Sequence, residues 1–223
     1  CIGIDKRVQL EGEKLIEDFM IAANETVAEH IYNMDLPFIY RVHGTPRTEK
    51  IEDFVNLLKV LNINVNTKNI STSSKGMQDI TESIEDHPAF KTLSSMLLRC
   101  MQKAIYSTNN IGHYGLALKN YTHFTSPIRR FPDLMVHQLL KTYFFNNDIN
   151  SSTIDFYAHY LIEVAEYSSE REQEAQAAER EVDDMKMAEY MLDHIGEEYE
   201  GVISTVTNYG FYVELDNMVE GLV

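Results

Sequence analysis

The chain has 223 residues, 44% hydrophobic and 24% charged, an ordinary globular composition that speaks against wholesale disorder and is enough for a real core. No run of 18 apolar residues suits a bilayer, no basic-then-apolar start marks a secretory leader, and two cysteines, Cys1 and Cys100, exclude a disulfide scaffold or a cysteine-rich zinc site, so a reducing cytoplasm is the expected setting. The formal net charge is −16, yet residues 1–150 are nearly balanced (17 acidic, 16 basic), whereas 151–200 carry 15 acidic and 3 basic side chains. So acidic a chain is a poor non-specific binder of nucleic acid, whose affinity comes from Lys and Arg on phosphates. The acidic tract reads first as a solvated helix face.

In chain order, residues 9–33 predict a helix, with Leu15, Phe19, Ala22, Ala23, Thr26 and His30 at three- and four-residue spacing and Met20 and Val27 widening the stripe. Pro37 ends it. Residues 38–42 are β-rich and predict a strand, Gly44-Thr45-Pro46 a turn, and Thr48 a cap for a helix over 48–61. The Asn/Ser/Thr-rich stretch 62–75 reads as a loop. Helices follow over 76–86 and 89–105, the second placing Leu93, Met96, Leu97 and Met101 on one face with Cys100 as a core residue. Residues 112–118 alternate weakly and predict a buried strand, 130–145 a helix, and 152–195 a long helical tract with a bend near Ser168-Ser169, stopped by Gly196. From Glu200 the texture changes to a β-meander: strands over 201–206 and 211–215, a third starting at Val219, and turns between. Two and a half strands do not bury a core alone, so the meander either packs on the helical part or belongs to a small barrel.

The chemistry concentrates in Tyr121-Thr-His-Phe-Thr-Ser-Pro-Ile-Arg-Arg-Phe-Pro-Asp133. Pro127 fixes a rigid turn, and Arg129 and Arg130 then stand at a helix start, where the helix end and the guanidinium both favour phosphate. Tyr121 and Phe124 are candidates to stack on bases, and the hydroxyls of Thr125 and Ser126 are candidate donors. The competing reading of the same residues is a surface arginine pair salt-bridged to Asp133 and the acidic helix. His113 and His123 read as hydrogen-bonded structural residues rather than bases or metal ligands. Asp183 and Asp184 are neighbours on a helix, about 100° apart, and do not naturally share a metal.

Gly112-His-Tyr-Gly-Leu-Ala-Leu118 followed by that run resembles the signature of the ribonuclease II / ribonuclease R exoribonucleases, the RNB-domain family. Leu15-Ile-Glu-Asp-Phe-Met-Ile-Ala-Ala-Asn24 resembles the family's helix with an acidic pair before an Asn. Ser168-Ser-Glu-Arg171 with Ala178-Glu-Arg-Glu-Val182 resembles its late glutamate-bearing helix. Residues 200–222 resemble the opening of an S1 RNA-binding domain, an OB-fold barrel. The resemblance implies an α+β chain: residues 1–198 as the mostly helical C-terminal part of an RNB catalytic domain, 199–223 as the start of a truncated S1 barrel. It implies a processive 3′-to-5′ exoribonuclease acting on single-stranded RNA 3′ ends with divalent metal, usually Mg²⁺, and releasing nucleoside 5′-monophosphates.

Residue by residue, Arg129 matches the family arginine that grips phosphate near the scissile bond, with Arg130 a helper. Glu179 matches the glutamate set against the 3′-terminal nucleotide. Glu17 matches the acidic residue that holds RNA near the active site, with Asp18 competing for that role. In the S1-like part, Tyr209, Phe211 and Tyr212 are the stacking candidates, Phe211 and Tyr212 on opposite strand faces. No aspartate run here fits the family's metal cluster, and neither a metal ligand nor a membrane partner is expected. The start at Cys1 and the stop within an apolar pattern lead one to expect a segment of a longer protein, with strands 38–42 and 113–118 left as open edges prone to self-association. The alternative is a non-catalytic RNA- or protein-binding module with an S1-like end; a decayed paralogue is disfavoured by the intact Thr-Ser-Pro-Ile-Arg-Arg run.

Overall fold

The computed structural model describes residues 3–4, 8–63 and 74–223. The chain divides into two compact units, one formed by Leu15–Glu170, the other by Cys1–Lys14 with Arg171–Val223. The fold class is α+β, mostly helical with short antiparallel sheets. In chain order the elements are α1 (Glu11–Asn33), β1 (Tyr40–Val42), α2 (Thr48–Val60), α3 (Ser74–Ile84), α4 (Phe90–Cys100), β2 (Ile105–Ser107), α5 (Phe131–Leu140), α6 (Ser151–Met191) and the strands β3 (Gly201–Thr207), β4 (Gly210–Leu215) and β5 (Glu220–Leu222).

Helix α1 begins and ends close to its expected bounds, but the face it buries is the opposite one. Leu15 and Phe19 are 56% and 65% exposed, whereas Asn24, Ala28 and Ile31 are buried. At 100° per residue the expected stripe is centred roughly 150° from Asn24. Asn24 on this face meets the 121–124 loop, while Ala28 and Ile31 enter the apolar core.

Ala28 and Ile31 join Phe38, Ile39 and Val42, the α5 residues Met135, Val136 and Leu139, and Leu161 and Val164 of α6 in one core. A second, separate core joins α2, α3 and α4 through Phe54, Leu58, Ile80, Ile84, Leu93 and Leu97, with Cys100 buried beside them. Arg47, not Thr48, holds the cap position of α2, without a side-chain cap. The predicted loop falls mostly on 64–73, outside the described residues; its last two positions, Ser74 and Lys75, open α3.

Two strand expectations change. The predicted helix over 89–105 stops at Cys100, because Met101 turns extended (φ −70°, ψ 148°) and Ile105–Ser107 pairs antiparallel with β1, Arg41 opposite Tyr106. Residues 112–118 form no strand: Tyr114–Leu116 is a 3₁₀ turn and Ala117 is left-handed at φ 58°. This loop nevertheless lies along β1, with Arg41 N–H donating to Tyr121 O (2.9 Å) and His43 N–H to Gly112 O (3.0 Å). On the outer side of β2, Tyr106 N–H donates to Ser169 Oγ of α6 at 2.9 Å. β1 is thus hydrogen-bonded on both sides, and β2 makes one contact on its outer side.

Helix α5 runs into a π turn over Lys141–Phe145, and α6 is continuous through Ser168-Ser169. In the other unit, β3, β4 and β5 form an antiparallel meander with a bulge at Ser204. Gly210 has φ +154°, and a Cβ there would lie 2.4 Å from the Val223 carbonyl oxygen, so glycine is required where β4 starts.

Candidate nucleic-acid interface

The segment 121–130 is held from every side before its exposed groups are reached. Thr122 Oγ1 donates to Ile39 O at 2.7 Å. Asn24 of α1, itself buried, brackets the next turn: its Nδ2 donates to Tyr121 Oη (3.1 Å) and its Oδ1 accepts from Phe124 N–H (2.9 Å). His137 of α5 binds Phe124 O through Nε2 at 3.0 Å, and its ring stacks on Phe124 at 4.4 Å. Asp133, with a side-chain exposure of 0%, accepts from Ser126 N–H (2.7 Å) and Arg130 Nη2 (2.9 Å) through the same oxygen. Its other oxygen lies 2.8 Å from Arg130 Nε as an ion pair off the hydrogen-bond line. Ser126 O closes the turn by accepting the N–H groups of Arg129 and Arg130.

This framework separates residues that look equivalent in sequence. Arg130 is 20% exposed and tied to Asp133, so it is a structural arginine; the salt-bridge reading of the pair is right for Arg130 alone. Arg129 is exposed, and its guanidinium has no hydrogen-bond or ion-pair partner among the described residues. The hydroxyls of Thr125 and Ser126 are likewise unengaged and half-buried on the same turn. Tyr121 is buried, with its hydroxyl on Asn24, and is not a stacking platform; Phe124 is covered by His137. Both corrections have one cause: these rings anchor the loop to α1 and α5.

Glu17 and Asp18 are exposed on α1. Glu17 stands seven residues before Asn24, about 20° from it around the helix and about 10 Å along it, while Asp18 points about 120° away. Glu17 is therefore on the helix face that meets the loop. Glu179 is exposed on α6 in the other unit, as are its neighbours, so burial does not single it out. There too, Tyr209 is exposed and bonded to Tyr212, whose phenol that bond pushes above its usual range; Phe211 faces solvent.

One cation escaped sequence reasoning. Arg41 lies over the Tyr106 ring at 4.6 Å, and Tyr106 Oη bonds His123 Nδ1 at 2.8 Å. Alternation along β1 was the available signal, but nothing in it marks Arg41 as adjacent to the motif. His123 is held neutral: burial first, then the positive charges of Arg130, Arg41 and Arg129, push its pKa far below the histidine range. His113, lowered to about 4 mainly by burial, accepts Leu116 N–H through Nδ1. Both rings are engaged in hydrogen bonds within the loop framework. Among the described residues, no group of three or more His, Cys, Asp or Glu side chains lies together as a metal site. No described helix is long and apolar enough to cross a membrane.

Comparison with known proteins bears on what this interface recognises. The family model of the RNB domain matches residues 1–146, and that of the S1 RNA binding domain matches 192–223. Ribonuclease R 1 of Lactococcus lactis is 45% identical over 222 residues, covering 100% of this chain and 27% of its own length. Ribonuclease R of Thermotoga maritima is 44% identical over 215 residues, covering 95% of this chain and 30% of its own. RNase R of Mycoplasma genitalium in complex with ribose-methylated single-stranded RNA superposes with TM-score 0.90 at 31% identity, over 97% of this chain and 34% of that one. The same protein with double-stranded RNA matches with TM-score 0.90 at 32% identity. The chain thus spans less than a third of the length of these curated relatives.

Proposed function

Since this chain belongs to the RNB domain family, we propose that it is the substrate-clamping part of a processive 3′-to-5′ exoribonuclease similar to ribonuclease R. The observation that carries the reading is the contrast within the arginine pair: Arg130 is locked onto buried Asp133, and exposed Arg129 beside it has no partner among the described residues. A guanidinium fixed on a rigid turn and left unpaired suits a phosphate, and one that need not reorganise stabilises charge developing at that phosphate during hydrolysis. In the proposal Arg129 holds the phosphate near the scissile bond and the Thr125 and Ser126 hydroxyls donate to RNA. Glu17 holds RNA near the active site, Glu179 meets the 3′-terminal nucleotide, and Tyr209, Phe211 and Tyr212 stack on bases. Residues 1–198 are assigned to the catalytic domain and 199–223 to the S1 domain, in a cytoplasmic protein.

No group of three or more His, Cys, Asp or Glu side chains lies together among the described residues. The Mg²⁺ expected of the family is assigned to aspartates elsewhere in the longer polypeptide, and the chain alone is proposed to be inactive.

The test is degradation of 5′-labelled and 3′-labelled single-stranded RNA with Mg²⁺ by this chain and by the full-length polypeptide containing it. Stepwise shortening of the 5′-labelled RNA from its 3′ end by the longer protein alone, slowed about a hundredfold but still measurable in Arg129→Ala, is the expected result. RNA binding without cleavage by the longer protein overturns the enzyme reading in favour of a non-catalytic RNA-binding module.

A further inference from the structure

Asn24 is one of four buried polar or charged side chains among the described residues, with Thr122, Asp133 and Ser168. It is the one that joins α1 to the arginine loop. Both ends of its amide are used across about a hundred residues of sequence: Nδ2 on the Tyr121 hydroxyl at 3.1 Å, Oδ1 on the Phe124 amide at 2.9 Å. A buried amide with both ends committed fixes position and orientation together, and either lost partner leaves an unsatisfied polar group. The residue on the same helix face two turns earlier is Glu17. The segment it grips ends two residues before Ser126, which closes the turn carrying Arg129.

Resting on the function proposed above, we infer that Asn24 is a positioning residue: it sets the register between the Glu17 helix and the Arg129 turn, so that the two act on one RNA strand. It touches no substrate itself. Asp133 locks the turn internally, whereas Asn24 locks the turn to the helix. Removing it leaves Arg129 intact but free to drift relative to Glu17, and a displacement of about 1 Å at such a group is worth up to roughly a hundredfold in rate.

The experiment uses the full-length polypeptide with Asn24→Ala, Asn24→Asp, Tyr121→Phe, Arg129→Ala and the double variant Asn24→Ala/Arg129→Ala, assayed by single-turnover RNA cleavage with circular dichroism as the folding check. Asn24→Ala is expected to lower kcat about tenfold or more with KM changed less than threefold. Asn24→Asp, which still accepts the Phe124 amide and takes the Tyr121 hydroxyl as donor, is expected to recover part of the rate. In the double variant the Asn24 change is expected to add nothing to the loss from Arg129→Ala, because a missing guanidinium has no position to set. Equal multiplicative losses in both backgrounds overturn the inference. If the wild-type protein cleaves no RNA, the functional reading falls by itself and amide exchange in this chain decides the positional claim. Asn24→Ala then accelerates exchange at Phe124 at least tenfold while Leu58 and Ile84 in the second core stay protected; an unchanged Phe124 rate refutes it.

Discussion

Replacing Asp133 by asparagine tests the division of labour between the two arginines directly. The substitution keeps shape and keeps one oxygen for the Ser126 amide, now 2.7 Å away. It turns the other oxygen, 2.8 Å from Arg130 Nε, into an amide nitrogen that meets another donor. Breaking a buried ion pair by removing one charge costs about 3–5 kcal/mol when the survivor is fully buried. Arg130 remains 20% exposed, so water partly screens the stranded guanidinium, and we expect about 2–4 kcal/mol. Asp133→Ala loses the Ser126 bond as well and is expected to cost about 1 kcal/mol more. Arg130→Lys keeps the charge but gives up the two-point grip through Nε and Nη2, and falls between wild type and Asp133→Asn. Urea unfolding followed by far-ultraviolet circular dichroism measures each as a shift in midpoint at constant slope. An Asp133→Asn loss below about 1 kcal/mol means that the pair is not held as described; Arg130 is then as available as Arg129, and the choice of Arg129 as the phosphate grip has no structural support.

Acidification is expected to destabilise the larger unit before its carboxylates titrate. His113 and His123 have folded pKa values below the unfolded value of about 6.5, so the unfolded chain binds more protons there. Their stabilisation is present above pH 6.5 and is lost as pH falls from 6.5 toward 4 and below, at about 1.4 kcal/mol per pH unit for each. Unfolding free energies from urea titrations at pH 7.5 and 5.0 should therefore differ by about 4 kcal/mol, and His123→Asn should halve the difference; an unchanged difference refutes the assignment. Gly210→Ala is expected to loosen the meander by about 1–3 kcal/mol, read as faster amide exchange at Phe211 and Val223, because its Cβ meets a carbonyl oxygen rather than a side chain that can move. On α1, Phe19→Ser is expected within about 0.5 kcal/mol of wild type in this chain, whereas Ala28→Leu overpacks the core and costs about 1–3 kcal/mol; the reverse order in thermal unfolding would restore the amphipathic reading of that helix.

Helix positions, the meander and the motif loop were legible because each carries a local signal: the Gly44-Thr45-Pro46 turn before α2, periodicity in α4, Gly196 with φ +94° at the end of the acidic helical tract, glycine at the turn into β4. What failed depended on distant partners. Ile105–Ser107 looked like the tail of a helix because nothing near it announces that β1 needs a neighbour. The buried face of α1 was invisible because its key residue, Asn24, is polar, and an apolar stripe was available on the other side. Tyr121 read as a base-stacking ring for the same reason: an aromatic beside an arginine pair has two uses, and its burial and hydrogen bond to Asn24 show the packing one. The arginine doublet was legible as a site but not as two roles, since the choice rests on the helical turn between Arg130 and Asp133.

The net charge of −16 argued against nucleic acid, and the arginine loop explains why that argument operates at the wrong scale. At physiological salt an exposed charge is screened over about 8 Å, so what a phosphate meets is the handful of groups around it, not the sum over the chain. The 15 acidic side chains of residues 151–200 weigh heavily in that sum, yet around His123 the charges that act are those of Arg130, Arg41 and Arg129. Within that cluster Arg130 is paired with Asp133, whose Oδ1 also accepts the Ser126 amide. If local charge governs, Arg129→Ala should weaken RNA binding and flatten its salt dependence by about one phosphate contact, while neutralising several glutamates of α6 outside Glu179 should change affinity little. A strong gain in affinity from those glutamate substitutions would show that the whole-chain charge, and not the arginine turn, sets the encounter with RNA.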